Sequence, residues 1–80
     1  MKCWIYRSKR KPDHYLFSDR PNELEHVPAA LQALLSPLDL VMSLELTPAR
    51  RLANADTTAV LTALRQKGFY LQIPPRDIVH

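Results

Sequence analysis

This chain has very little glycine and cysteine, and each shortage excludes a class of site. The only glycine is Gly68, which excludes the glycine-rich loops that hold phosphates in nucleotide-binding folds. The only cysteine is Cys3, which leaves no internal disulfide and no set of thiolates for a structural zinc ion. The three histidines, at positions 14, 26 and 80, share no metal-ligand spacing. We therefore expect neither a metal nor a cofactor.

A long apolar run is also missing. The first residues form only a short apolar stretch before a cluster of charge, so no signal peptide is expected. No stretch approaches the length that spans a bilayer, and we expect a cytoplasmic protein that does not bind membranes. With 80 residues, of which 46% are hydrophobic and 24% are charged, the chain has the composition of one small globular domain.

Positive charge is concentrated at the start of the chain. The net charge is +3, and five cations with no acid stand among the first eleven residues. From residue 12 onward there are six cations and eight acids, a local balance of −2. A basic cluster of this kind attracts nucleic acid, anionic lipid or an acidic protein surface, although small clusters also occur at ordinary exposed turns.

Hydrophobic periodicity predicts the order β-β-α-β-α-β. Alternating patterns predict strands over residues 2–7, 14–18, 38–46 and 69–73, with a turn containing Pro12 and Asp13 between the first two. A first helix is expected from near Pro28 to the residues before Pro37, with an apolar stripe made of Val27, Leu31, Leu34 and Leu35. A second helix is expected between an N-cap at Asp56 and a C-terminal cap at Gly68.

Both helices have one narrow apolar stripe, so each is expected to cover a sheet. The predicted fold is a two-layer α/β (α+β) sandwich, in which one four-stranded sheet carries both helices on one face. Residues 1–75 are expected to form the domain, and residues 76–80 a flexible C-terminal tail. The order of the strands in the sheet cannot be read from these patterns.

If both helices cover one face, the opposite face is aromatic and polar. Alternation predicts that it holds Trp4, Tyr6, Ser43, Glu45, Tyr70 and Gln72, joined by Tyr15 and Phe17 if Leu16 points inward. The first hypothesis is a non-enzymatic protein-interaction module that uses this face. The alternative is a module that binds RNA or another single-stranded nucleic acid, with bases stacked on the aromatic rings and phosphates held by residues 8–11, including Lys9, Arg10 and Lys11. A third reading is that the rings are covered and structural, since tyrosine and tryptophan favour strands.

Few residues suggest catalysis. Alternation turns Cys3 inward, which is typical of an inert buried thiol. Glu45 lies among aromatic residues, where partial burial would raise its pKa, but no second carboxylate or histidine has a fixed place beside it. The enzyme alternative needs a concave pocket that joins Glu45 or His14 to Arg50 or Arg51. Arg50 and Arg51, together with Arg7 and Lys11, are an alternative anion site or simply solvated surface cations.

Three blocks of this sequence resemble the YcgL domain family, a small and mostly proteobacterial group. They are Met1-Lys-Cys-Trp-Ile-Tyr-Arg-Ser8 with Arg10-Lys11, Leu44-Glu-Leu-Thr-Pro48 with Arg51-Leu-Ala53 and Asp56, and Gly68-Phe-Tyr-Leu-Gln-Ile-Pro-Pro75. The resemblance spans nearly the whole chain in the right order and is weakest between Asp19 and Asp39. It implies a compact α/β domain and carries over no catalytic residue.

Overall fold

The computed structural model describes residues 1–20, 24–50, 52 and 56–73, and the elements in these ranges follow the order predicted from the sequence. The strands are β1 (Lys2–Ser8), β2 (Tyr15–Ser18), β3 (Leu38–Glu45) and β4 (Phe69–Gln72). The helices are α1 (Ala29–Leu35) and α2 (Thr57–Gln66). The tail predicted at residues 76–80 lies outside the described residues.

The four strands form one sheet in the order β3-β1-β2-β4, and every neighbouring pair is antiparallel. The predicted hairpin between β1 and β2 is confirmed, and its turn contains Asp13 in the left-handed region at a φ of 68°. The Ser8 hydroxyl accepts a hydrogen bond from the Lys11 amide at 3.0 Å and donates one to the Leu35 carbonyl. The tip of the hairpin is therefore tied to the end of α1.

The ends of the helices follow the capping residues in the sequence. Asp56 caps α2, because its carboxylate accepts a hydrogen bond from the Thr58 amide at 2.9 Å. Gly68 closes α2 at a φ of 85°, and its amide donates to the Leu64 carbonyl at 3.0 Å. Pro28 lies one residue before α1, and the helix ends before Pro37 as expected.

The two helices lie on opposite faces of the sheet, so the expectation of both helices on one face does not hold. Residues of α2 pack with Cys3 and Phe17, whereas Val27 and Leu31 pack with Tyr6 and Leu16. We call these the α2 face and the α1 face. By strand pairing, the α2 face holds Cys3, Ile5, Arg7, Tyr15, Phe17, Asp39, Met42, Leu44, Tyr70 and Gln72, and the α1 face holds Trp4, Tyr6, Ser8, Leu16, Ser18, Leu38, Leu40, Ser43, Phe69 and Leu71.

The direction of the strands that each helix joins explains why the two helices need not share a face. The antiparallel pairings make β2 and β3 parallel to each other with β1 between them, so handedness constrains the side on which α1 crosses. In contrast, β3 and β4 are antiparallel and lie at opposite edges, and the handedness rule does not apply to α2. The chain therefore forms three layers, with the sheet between the helices.

A β-bulge in β3 changes which of its residues share a face. Met42 lies opposite Ile5 while Leu40 lies opposite Tyr6, so Val41 is an extra residue between the two regular stretches. Simple alternation placed Leu40, Met42 and Leu44 on one face, and the bulge moves Leu40 to the other. Leu34 also departs from its predicted core stripe and is exposed, whereas Leu35 is fully buried.

Candidate functional site

The aromatic residues predicted to share one open face are divided between the two covered faces. Trp4 is half-buried and Tyr6 is only 5% exposed on the α1 face, beneath the segment that contains Val27. Tyr70 lies on the α2 face, where its ring meets Phe17 edge-on with centroids 6.0 Å apart. Gln72 lies on that same face, opposite Tyr15. A continuous aromatic platform of Trp4, Tyr6 and Tyr70 is therefore not present.

The basic loop is held against its neighbours. The Lys9 ammonium pairs with the Asp39 carboxylate at 3.3 Å, and the Arg10 guanidinium donates to the Ala33 carbonyl at 3.1 Å. Through these contacts the loop joins β3 and α1. Arg7, in β1, is exposed on the α2 face, and Lys11 is half-buried.

Glu45, the acidic residue of the enzyme alternative, is paired with the N-terminus. The Glu45 carboxylate accepts a hydrogen bond from the N-terminal ammonium of Met1 at 2.7 Å. This hydrogen bond, more than any other contact, lowers the pKa of Glu45, so the expectation of a raised pKa was wrong. Burial raises the pKa of the Cys3 thiol, which fits an inert thiol in the core.

A cavity of about 260 Å³ opens on the α2 face beside β3. Its lining is mostly apolar and consists of Ile5, Tyr15, Phe17, Met42, Leu44, Arg50, Leu52 and Gln72. Among the strands, α2 contacts mainly β4 and β2, and Arg50 and Leu52, which follow β3, form part of the lining of the cavity. Sequence reasoning named Arg50 and Gln72 but did not bring them together, because strand order and register were unknown.

Arg50 is placed at this cavity by its backbone. Its amide donates to the Thr47 carbonyl at 3.0 Å, and its carbonyl accepts a hydrogen bond from the Thr57 hydroxyl at the start of α2. No carboxylate of the described residues forms an ion pair with the Arg50 guanidinium. Neither Glu45 nor His14 lines this cavity, so it does not join the residues that the enzyme alternative requires. Arg51 lies outside the described residues.

The edge of the sheet next to this cavity is apolar and open. Three consecutive residues of β3 are about half exposed, namely Leu40 at 49%, Val41 at 51% and Met42 at 45%. β3 pairs with β1 on one side, and no described strand pairs with its other side. Met42 belongs both to this edge and to the lining of the cavity. The cavity and the open edge therefore form one continuous surface, which we call the β3 surface.

A second polar cluster, not found from the sequence, has the composition of a catalytic triad but not its geometry. His26 Nε2 lies 3.2 Å from the Ser18 hydroxyl, 3.8 Å from Asp19 Oδ1 and 2.9 Å from the Gly68 carbonyl. In a triad the carboxylate holds the other ring nitrogen, but His26 Nδ1 has no partner among the described residues. Ser18 is fully buried, so the cluster links β2 to the end of α2 rather than exposing a nucleophile.

Two classes of site have no support in the described residues. Their histidine, cysteine, aspartate and glutamate side chains nowhere gather in a group of three that could bind a metal ion. In the same ranges, neither helix has the length and apolar composition needed to cross a bilayer.

Comparison with known proteins places the chain in a family. The YcgL domain model matches residues 3–75. The chain belongs to the YcgL domain family. It is 40% identical over 77 residues to a YcgL domain-containing protein of Thioalkalivibrio sulfidiphilus, covering 96% of this chain and 95% of that protein.

Two further relatives are closer in identity. A YcgL domain-containing protein of Shewanella woodyi is 48% identical over 75 residues, covering 94% of this chain and 81% of that protein. One from Xanthomonas euvesicatoria is 45% identical over 74 residues, covering 92% of this chain and 86% of that protein. The resemblance seen in the sequence is thus confirmed along nearly its whole length.

Proposed function

We propose that this YcgL domain is a non-enzymatic protein-interaction module that binds an extended segment of a partner protein along the β3 surface. The observation that carries the proposal is the run of half-exposed apolar side chains on an eight-residue strand whose outer side pairs with no described strand. Such an edge offers backbone donors and acceptors to an incoming strand, and the side chains beside it determine which strand fits.

The bulge decides where on β3 a partner strand would pair. Val41 interrupts the ladder and separates the stretch Leu38–Leu40 from the stretch Met42–Glu45. The second stretch borders the cavity through Met42 and Leu44. A partner that pairs there gains both backbone hydrogen bonds and a place to bury an apolar side chain. The interaction surface is therefore an edge, and not the open aromatic face expected from alternation.

A lysine placed on the edge tests this proposal. Val41→Lys adds a charge to the outer side of β3, and strand addition then requires that the charge be desolvated or displaced. Ala59→Lys adds the same charge at an exposed position of α2 and is the matched control. We expect partners captured from a bacterial lysate by the wild-type domain to be retained by Ala59→Lys and lost from Val41→Lys.

The same variants separate the possible occupants. If both variants capture the same proteins as the wild type, the β3 surface is not the binding site and the proposal is overturned. If sedimentation instead shows a homodimer that only Val41→Lys dissociates, the occupant is a second copy of this chain, and the proposal of a separate partner fails.

RNA binding through residues 8–11 remains a prediction with weaker support. Tyr6 is too deeply buried to stack a base, and the side chains of Lys9 and Arg10 are engaged with Asp39 and Ala33. Titration with single-stranded RNA at two salt concentrations tests it, since phosphate contacts weaken steeply with salt. The absence of binding at low salt would end this alternative.

A further inference from the structure

We infer that the partner segment carries an apolar residue and an acidic residue at alternate positions. The apolar side chain fills the cavity on the α2 face, and the carboxylate binds the guanidinium of Arg50, which lines it. This inference rests on the proposed strand addition at β3 and specifies the chemistry of the segment that is added.

The size of the cavity favours a side chain over a free ligand. Pockets that enclose drug-sized molecules have volumes of roughly 300–1,000 Å³. The cavity here holds about 260 Å³ and is open to solvent beside Met42, so it suits one aliphatic or aromatic side chain entering from the β3 edge. Ile5, Phe17 and Leu44 would make the apolar contacts.

The charge around the cavity favours an anion. Arg50 lines the cavity and is exposed, and Arg7 is exposed on the same face, between Tyr15 of β2 and Asp39 of β3. Neither guanidinium forms an ion pair with a described carboxylate; Asp39 is paired with Lys9, and Glu45 with the N-terminus. A carboxylate is the natural partner of a guanidinium, since the two groups form paired charge-assisted hydrogen bonds.

The alternate spacing follows from strand geometry. Side chains at positions i and i+2 of an extended segment project from the same face, roughly 6.6–6.8 Å apart. A segment paired with Met42–Glu45 therefore presents every second side chain on the α2 face, where both the cavity and Arg50 lie. An apolar residue and an acid at adjacent positions would point to opposite faces and could not use both features.

The first experiment tests the cavity without a peptide. Hexanoate and hexan-1-ol share an apolar chain but differ in charge, and their binding is followed by NMR shifts of the Ile5, Leu44 and Leu52 methyl groups. We expect hexanoate to bind the wild type and to bind Arg50→Gln about tenfold more weakly, whereas hexanol binds both equally. Arg65→Gln removes an exposed arginine from α2 and serves as the control. Equal binding of hexanoate to Arg50→Gln and the wild type would overturn the role of Arg50.

The second experiment uses heptapeptides that are acetylated and amidated, so that no terminal carboxylate is present. The reference peptide contains one leucine and one glutamate at alternate positions among threonines, and the comparison peptides replace glutamate by glutamine or leucine by serine. We expect both replacements to weaken binding about fivefold or more, with shifts at the β3 amides and at the methyl groups of the cavity.

The pattern of shifts distinguishes failure of this inference from failure of the proposed function. Equal perturbation of the β3 amides by all three peptides would support strand addition and overturn the apolar–acidic preference. Binding of hexanoate without any peptide-induced shift in β3 would overturn strand addition, and with it the peptide occupant inferred here.

Discussion

The two edges of the sheet differ in length, cover and composition. β4 has four residues, all half-buried, and it follows directly from Gly68 beneath α2. β3 has eight residues, six of which are exposed, and three of these are consecutive apolar side chains. Proteins protect edge strands by keeping them short, covered, charged or bulged. β4 has the first two protections, whereas β3 has only a bulge and the acids at Asp39 and Glu45.

This difference shows which part of the sheet the helices of one chain leave uncovered. A ten-residue helix spans only about 15 Å, so α2 cannot cover four strands. Among the strands it contacts mainly β4 and β2, and the cavity lies beside β3. The open edge follows from the strand order, which leaves β3 with a single described neighbour, β1.

The largest expected effect contrasts the centre of the sheet with its β3 edge. Leu16 and Leu40 both lie opposite Tyr6 on the α1 face, but Leu16 is fully buried and Leu40 is 49% exposed. We expect Leu16→Ala to lower the free energy of unfolding by about 2–5 kcal/mol and Leu40→Ala to change it by about 0.5 kcal/mol or less, as measured by urea denaturation. Equal losses of unfolding free energy in the two variants would mean that Leu40 is buried by contact with another molecule.

A smaller effect is expected where the chain enters β4. A Cβ atom at Gly68 would lie 2.8 Å from His26 Cδ2, and the residue has a φ of 85°. We expect Gly68→Ala to destabilise the domain by roughly 1–3 kcal/mol. Alanine is strained in the left-handed conformation of this residue, and its Cβ atom would clash with His26.

The double variant with His26→Ala separates these two causes by thermal or urea denaturation. Removal of the imidazole relieves the clash but not the left-handed strain, so the two changes should cost less together than the sum of the singles. Additive losses would show that the clash contributes nothing and that strain alone makes Gly68 necessary.

The smallest effect is expected at the end of β3. The pKa of Glu45 is lowered chiefly by its hydrogen bond from the N-terminal ammonium, so the stability it contributes is present above the unfolded-state pKa and is lost as pH falls through the folded-state pKa. Glu45→Gln should therefore flatten the fall in Tm between about pH 5 and pH 3. The change should be slight, because Glu45 is exposed. An unchanged pH profile would show that the ion pair adds no stability.

Local signals in the sequence were sufficient to predict the order of the helices and strands and the residues that cap α2. Asp56 and Gly68 act through hydrogen bonds within one helical turn, so their roles as caps were predictable without knowledge of the rest of the fold. Alternation along β1 correctly separated Cys3 and Ile5 from Trp4 and Tyr6, because side chains of a strand always alternate.

The candidate site was only partly predictable, because its residues come from different elements. Arg50 and Gln72 were both named, yet Tyr70 was grouped with Trp4 although it lies opposite Phe17 on the other face. The alternation predicted within β4 was correct. However, the sequence of a four-residue strand does not indicate which face of the sheet its alternate side chains occupy. The bulge at Val41 was also hidden, since Leu40, Met42 and Leu44 alternate regularly in sequence.

The sequence by itself determined the order of the helices and strands, the caps of α2 and membership of the YcgL family, because these depend on neighbouring residues and ordered motifs. Tertiary structure alone decided that the helices lie on opposite faces, that β3 is an open edge and that Arg50 borders an apolar cavity. These features depend on strand order and register, which are set by packing between residues far apart in the chain.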